Sequence, residues 1–202
     1  FWGIYDGLIF AGKPTDSPDY KRKHFTSGNS GASGQVDVRL SDSTIRTSGD
    51  GSHGVLAMAG GGHLNHLIVR DYSHVVFKDA NSLSSGTAGK LDLKFTNSTV
   101  ASTGKNTVGV LAGSFGSQSQ EKATLIQLDN SVISAAEDAG SAAIGLVGQL
   151  EHLDVRIENQ SVVRSGDVGS AGYALAIQSA VNPSGRVSIV NSTLEGNVYV
   201  PQ

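Results

Sequence analysis

The sequence predicts an all-β chain wound as a parallel β-solenoid. Three observations carry this: a unit of about 30 residues that repeats, three short strands in each unit, and no helical period anywhere. The clearest pair of units runs from Val36 to Gly49 (VDVRLSDSTIRTSG) and from Leu91 to Gly104 (LDLKFTNSTVASTG). Related copies follow around Ile126–Ile133, Leu153–Gly166 and Val187–Gly196. A unit that repeats at fixed length is one supersecondary piece, stable only when stacked on its neighbours.

The first strand of each unit shows apolar residues at every second position: Val36/Val38/Leu40, Leu91/Leu93/Phe95, Ile126/Leu128 and Leu153/Val155/Ile157. That alternation marks a strand with one buried face. Two residues after the last apolar position stands an Asp or Asn: Asp42, Asp71, Asn97, Asn130, Asn159 or Asn191. A sharp bend between strands needs a residue that tolerates positive φ, and Asn and Asp do so better than other non-glycine residues. Stacked, these anchors would also hydrogen-bond from coil to coil.

A Ser and a second short strand follow the anchor, as in Ser43-Thr-Ile45 and Ser98-Thr-Val100. After a Gly-rich bend comes a third strand, as in Gly54-Val-Leu-Ala and Gly109-Val-Leu-Ala. The 26 glycines and abundant Ser and Thr oppose helix. The alignment places Leu40, Val69, Phe95, Leu128, Ile157 and Ile189 in one inward column. The unit around Asp71 lacks a clear third strand.

Residues 35–202 form the repeat region, and 1–34 stand apart. The first ten residues are expected to end a preceding coil or to cap the stack. Residues 11–34, with Lys21-Arg22-Lys23-His24 and a Gly/Ser tract, are expected to project as a surface loop, where binding often sits. The aromatic start and the strand-like Asn197-Val-Tyr-Val predict a segment of a longer solenoid.

Composition limits function. The net charge is −3 with dispersed basic residues, which speaks against nucleic acid as a partner. Without cysteine, neither disulfides nor thiolate metal sites form. No run of about 18 apolar residues is present for a membrane helix. No cofactor is expected.

Phe95–Ala112 is the cleanest example of a pattern that spans about residues 35–200: alternating apolar residues, Asn-Ser, an apolar residue, Ser-x-Gly, then Gly-Val-Leu-Ala. It resembles the repeats of bacterial autotransporter passenger domains of the pertactin-like kind. The resemblance implies a right-handed parallel β-helix, display at the bacterial surface and an outer-membrane barrel outside this chain. It implies adhesion or self-association, with a host surface protein, a glycan or another copy of the chain as partner. Some such passengers carry a serine protease domain, but the chain has no Gly-Asp-Ser-Gly motif.

The candidate surface residues lie on the outward side of the first strand. Asp37, His66, Asp92 and Asp154 share one aligned position, and Arg39, Lys94 and Arg156 another. The basic residues Lys21, Arg22 and Lys23 join them as a candidate contact. Outward carboxylates beside a basic residue are also what a β-helical polysaccharide lyase or a glycosidase needs, so a carbohydrate-active enzyme is the alternative class. In this alignment the unit holding His66 separates Asp37 from Asp92 by two coil spacings, too far for a shared metal. The same alignment puts His66 between two carboxylates, which would raise its pKa.

Other motifs carry less. His63-x-x-His66 has helix spacing in a strand context, so its two rings face opposite ways. Gly60-Gly-Gly62 lacks the lysine and helix of a phosphate loop. The sequons at Asn97, Asn159 and Asn191 arise from the repeat, and an inward bend at the anchor would bury them.

Overall fold

The computed structural model describes residues 34–60, 86–166, 171–179 and 181–200, with the backbone of three further strands, Lys23–Phe25 (β1), Leu67–Arg70 (β5) and His74–Val75 (β6). The repeats form a parallel β-helix. Its first coil holds β2 (Val36–Ser41), β3 (Thr44–Thr47) and β4 (Val55–Gly60). The second holds β7 (Leu91–Thr96), β8 (Thr99–Ser102) and β9 (Val108–Phe115). The third holds β10 (Thr124–Asp129), β11 (Val132–Ala135) and β12 (Ala142–Gly148). The fourth holds β13 (His152–Glu158), β14 (Val162–Ser165) and β15 (Tyr173–Ser179). The fifth holds β16 (Ser184–Val190), β17 (Thr193–Glu195) and β18 (Asn197–Tyr199). Like strands stack into three parallel five-stranded sheets: β2-β7-β10-β13-β16, β3-β8-β11-β14-β17 and β4-β9-β12-β15-β18.

The expected inward column exists with one member replaced by nothing. Leu40, Phe95, Leu128, Ile157 and Ile189 are aligned residue for residue across the first sheet. Phe95 and Ile157 are fully buried. Ile189 is 44% exposed, because no described strand pairs with the outer edge of β16. Columns in the other two sheets, Ile45/Val100/Ile133/Val163/Leu194 and Val55/Val110/Ile144/Leu175, complete the core, and Val198, aligned with Leu175, is exposed in the last described coil.

Val69 does not belong to that column. Val38 and Leu40 pair directly with Leu93 and Phe95, which leaves no place for a coil between them. The strands on either side of residues 71–73 belong instead to an antiparallel sheet, β1-β5-β6, with Lys23 opposite Val69 and Val69 opposite Val75. Strands β5 and β6 are therefore not part of a coil, whereas Gly86, Thr87 and Ala88 already pair with Ser117 at the end of the second coil. The tract 11–34 contributes β1 to this sheet, which corrects the expectation of a loop without strands at residues 23–25. The rest of that tract, apart from Gly34, lies outside the described residues.

The anchors do what their residue type predicts. Asp42, Asn97, Asn130, Asn159 and Asn191 have φ of 50°, 48°, 47°, 54° and 49°. They occupy the same corner of successive coils, between the first and second sheets. All five are exposed, so the sequons they carry are not buried by an inward bend. Their side chains link coils: Asn97 Nδ2 donates to Asp42 Oδ1 at 3.2 Å and Asn130 Nδ2 to Asn97 Oδ1 at 2.9 Å. Asn159 reaches Asp129 Oδ1 instead, at 2.8 Å, because Gln160 adds a residue to that corner and itself takes a positive φ.

Inside the corner runs a second ladder, made by the Ser after each anchor. The amide N–H of Ser43 donates to Ser98 Oγ, that of Ser98 to Ser131 Oγ, that of Ser131 to Ser161 Oγ, and that of Ser161 to Ser192 Oγ, at 3.0–3.2 Å. Each of these hydroxyls in turn donates to a carbonyl just before its own anchor, as Ser131 Oγ does to Asp129 O at 2.9 Å. The ladder satisfies an N–H that the bend removes from the sheets, and Ser131 and Ser161 are fully buried. Ser131→Ala should cost about 1–3 kcal/mol, since it strands the buried Ser98 N–H. Asn130→Val should cost a similar ~1–3 kcal/mol by a different route, the strain of a β-branched residue at φ 47°. Asn130→Gly separates the two routes in urea titrations, because it relieves the strain and removes only the side-chain bond to Asn97.

Candidate functional site

Two outward surfaces merit comparison: the charged face of the first sheet and a groove on the third. On the first sheet, outward residues form the columns Asp37/Asp92/Leu125/Asp154/Arg186 and Arg39/Lys94/Gln127/Arg156/Ser188. Asp37 and Asp92 are direct neighbours, one strand spacing of about 4.8 Å apart, rather than two. His66 lies outside the described residues, as do Lys21 and Arg22. The direct pairing of Asp37 with Asp92 removes the column in which His66 was expected, and with it the basis for a raised pKa there.

Adjacent carboxylates repel unless cations sit between them, and here they do. Arg39 Nη1 lies 2.8 Å from Asp37 Oδ1 and 3.1 Å from Asp92 Oδ1, and Lys90 Nζ lies 2.7 Å from Asp92 Oδ2. Farther along, Arg156 Nη2 lies 2.6 Å from Asp154 Oδ2, and Arg186 Nε lies 3.2 Å from Asp154 Oδ1. Lys94 is exposed beside Arg39 in the second column. Lys23 is in β1, which pairs with β5 and not with the first sheet. Sequence reasoning therefore found the face and its charges, and missed Lys90 and Arg186, which complete each cluster.

Burial pushes the Asp92 carboxyl up, and hydrogen bonds from Lys90 and Arg39 more than reverse this, so its pKa ends below the ordinary value. Asp154 is also lowered, first by the Arg156 hydrogen bond, against a smaller opposing effect of burial, with Arg186 adding to it. A carboxylate with a lowered folded-state pKa contributes stability that is present above the unfolded value, ~3.9, and is lost as pH falls through the folded value. The urea midpoint should thus hold steady from about pH 7 to 5 and decline below about pH 4. Asp92→Asn should flatten part of that acid decline; an unchanged pH dependence in the variant would show that these pairs do not contribute.

The groove on the third sheet has another chemistry. Its outward column is Leu56/Leu111/Gly145/Ala176/Tyr199. Gly145 and Ala176 lie at its bottom, and the Val108 and Leu111 side chains crowd toward Gly145: a Cβ there would stand 3.1 Å from Val108 Cγ1 and 3.3 Å from Leu111 Cδ1. One wall is the bend at residues 138–141. Asp138 holds it to the coil before, accepting from the Asn106 N–H at 3.2 Å, the Gly140 N–H at 3.0 Å and the Ser141 hydroxyl at 2.6 Å. Ser141 Oγ accepts from the Thr107 N–H at 3.0 Å. Burial raises the Asp138 pKa, and the Ser141, Asn106 and Gly140 hydrogen bonds together bring it below the ordinary value, so the bend is held by an ionised carboxylate at neutral pH.

Tyr173 and Tyr199 close the other side, edge to face, with centroids 6.4 Å apart and planes at 78°. His53, Asn106, Ser141 and Gln178 supply polar edges. His53 Nδ1 accepts from the Val108 N–H at 3.1 Å, so the neutral ring carries its proton on Nε2. The volume is about 560 Å³. None of these groove residues was among the sequence candidates. The available signal was the small outward pair Gly145 and Ala176 at the position that Leu56 and Leu111 fill in the first two coils.

Comparison with family models, with curated proteins and with solved structures finds no match to this chain.

Proposed function

We propose that the chain is a non-catalytic β-helical stalk, displayed outside a bacterial cell, that acts in adhesion or self-association. The fold agrees with the resemblance of its repeats to autotransporter passengers. The observation that carries the reading is the state of the outward carboxylates. Asp37, Asp92 and Asp154, the residues an enzyme on this face would use, are each engaged by Arg39, Lys90, Arg156 or Arg186. A general acid needs a raised pKa, whereas Asp92 and Asp154 are lowered. The partner is a host surface protein or glycan, or a second copy on a neighbouring cell.

Display of the chain on bacteria through an outer-membrane anchor provides the test. Cells bearing it should clump or bind host cells more than cells bearing the anchor alone. Dispersed, non-binding cells with verified display would overturn the proposal. Release of unsaturated oligosaccharides from acidic polysaccharides by the purified chain would instead establish the enzyme alternative.

A further inference from the structure

We infer that the groove on the third sheet binds an uncharged saccharide, with sugar rings laid over the Gly145–Ala176 floor beside Tyr173 and Tyr199. This rests on the adhesion reading for its biological use, and gives that reading a ligand class. The physical case stands on the groove itself.

Its volume of about 560 Å³ falls within the range of small-ligand sites, ~300–1,000 Å³. Among the described residues the lining contains no Asp, Glu, Lys or Arg, whereas the first sheet carries ion pairs along its outward face. An ionic ligand would find no counter-charge among these lining residues. A wholly apolar ligand would strip water from the exposed Asn106 and Gln178 without replacing its hydrogen bonds, at a cost per group. A sugar ring matches both halves. Its C–H faces suit tyrosine rings and the Leu111 and Val147 side chains, and its hydroxyls suit amide and phenol groups.

The floor explains why the ring fits. At the same outward position Leu56 and Leu111 are bulky, and only Gly145 and Ala176 lower the surface. The wall is fixed before any ligand arrives, since Asp138 ties the bend to Asn106 and Ser141 ties it to Thr107. Such preorganisation lowers the ordering cost of binding. Asp138 is a positioning residue in this scheme.

The test uses the whole 202-residue chain, labelled with nitrogen-15, and a set of neutral disaccharides: maltose, cellobiose, lactose, chitobiose and mannobiose. Digalacturonate and octanoate serve as charged and apolar probes. At least one neutral sugar should shift the amide signals of Gly140, Gly145 and Ala176 in a saturable way. Ala176→Trp, which fills the floor from an outward position, should abolish those shifts. Tyr173→Phe should weaken binding several-fold while keeping the ring. Arg46→Ala, at an exposed position on β3 of the second sheet, should leave it unchanged. Acidification that protonates Asp138 should weaken binding, and Asp138→Asn should weaken it at neutral pH.

No shift with any neutral sugar, or shifts that survive Ala176→Trp, would overturn the inference. So would a preference for digalacturonate or octanoate. Sugar binding by a chain whose displaying cells do not clump or bind host cells would remove the adhesion reading and leave the groove. Clumping that persists without sugar binding would do the reverse.

Discussion

Phe95→Ala should lower the stability of the coil stack by about 3–5 kcal/mol, as for other fully buried Phe truncations. Phe95 is the largest fully buried side chain among the described residues and is completely inaccessible. It lies between Leu40 on one coil and Leu128 on the next, so its removal opens a gap that two further coils share. Main-chain hydrogen bonds fix the coil spacing, and the walls have little freedom to close in. A urea midpoint that corresponds to a loss below about 1 kcal/mol would mean that the gap collapses and that the columns are softer than close packing allows.

Gly148→Ala should cost about 3–4 kcal/mol although it adds a single methyl group. Gly148 ends β12 with φ +99°, where L side chains are rarely found. A Cβ there would come within 2.2 Å of the Ser114 carbonyl oxygen on the preceding coil. That carbonyl accepts from the Gln149 N–H at 2.6 Å, so backing away from the methyl group breaks a bond between coils as well. Gly145→Ala, three residues earlier on the same strand, is the control. Its φ is ordinary and its new contacts at 3.1 and 3.3 Å are to side chains, so it should cost below about 1 kcal/mol. Equal midpoints for the two variants would remove this account of Gly148.

The coil was legible because two independent signals coincide. Alternation marks the inward face, and the anchor fixes register to the residue, so Leu40 over Phe95 over Leu128 follows from counting. The segment around Asp71 passed the same count and is not a coil. Leu67 and Val69 do form a strand, but period two says only that a strand has two faces. It says nothing about which strand lies beside it or in which direction. The missing third strand was the physical clue, since a unit without one does not complete a turn. That error propagated: it inserted His66 between Asp37 and Asp92 and doubled their separation. Lys90 and Arg186 were missed because they belong to the charged clusters by neighbouring position rather than by the aligned pattern. The groove was hidden for another reason. Its walls come from bends of unequal length, and variable bends carry no repeat to count.

The hydroxyl ladder at the first corner has a bearing on how such a chain changes length. Every seam between described coils is closed by the same donor and acceptor, Ser N–H to Ser Oγ, whichever two coils meet. Thr124 aligns with Leu91 on one side and Leu153 on the other, so excision of residues 124–152 would bring β13 onto β7 with Ser161 beneath Ser98. Even the extra Gln160 leaves that seam intact. Coils are thus exchangeable cassettes. Duplicating or losing one in the gene would alter the reach of the rod in steps of about 4.8 Å, without redesign of the interior.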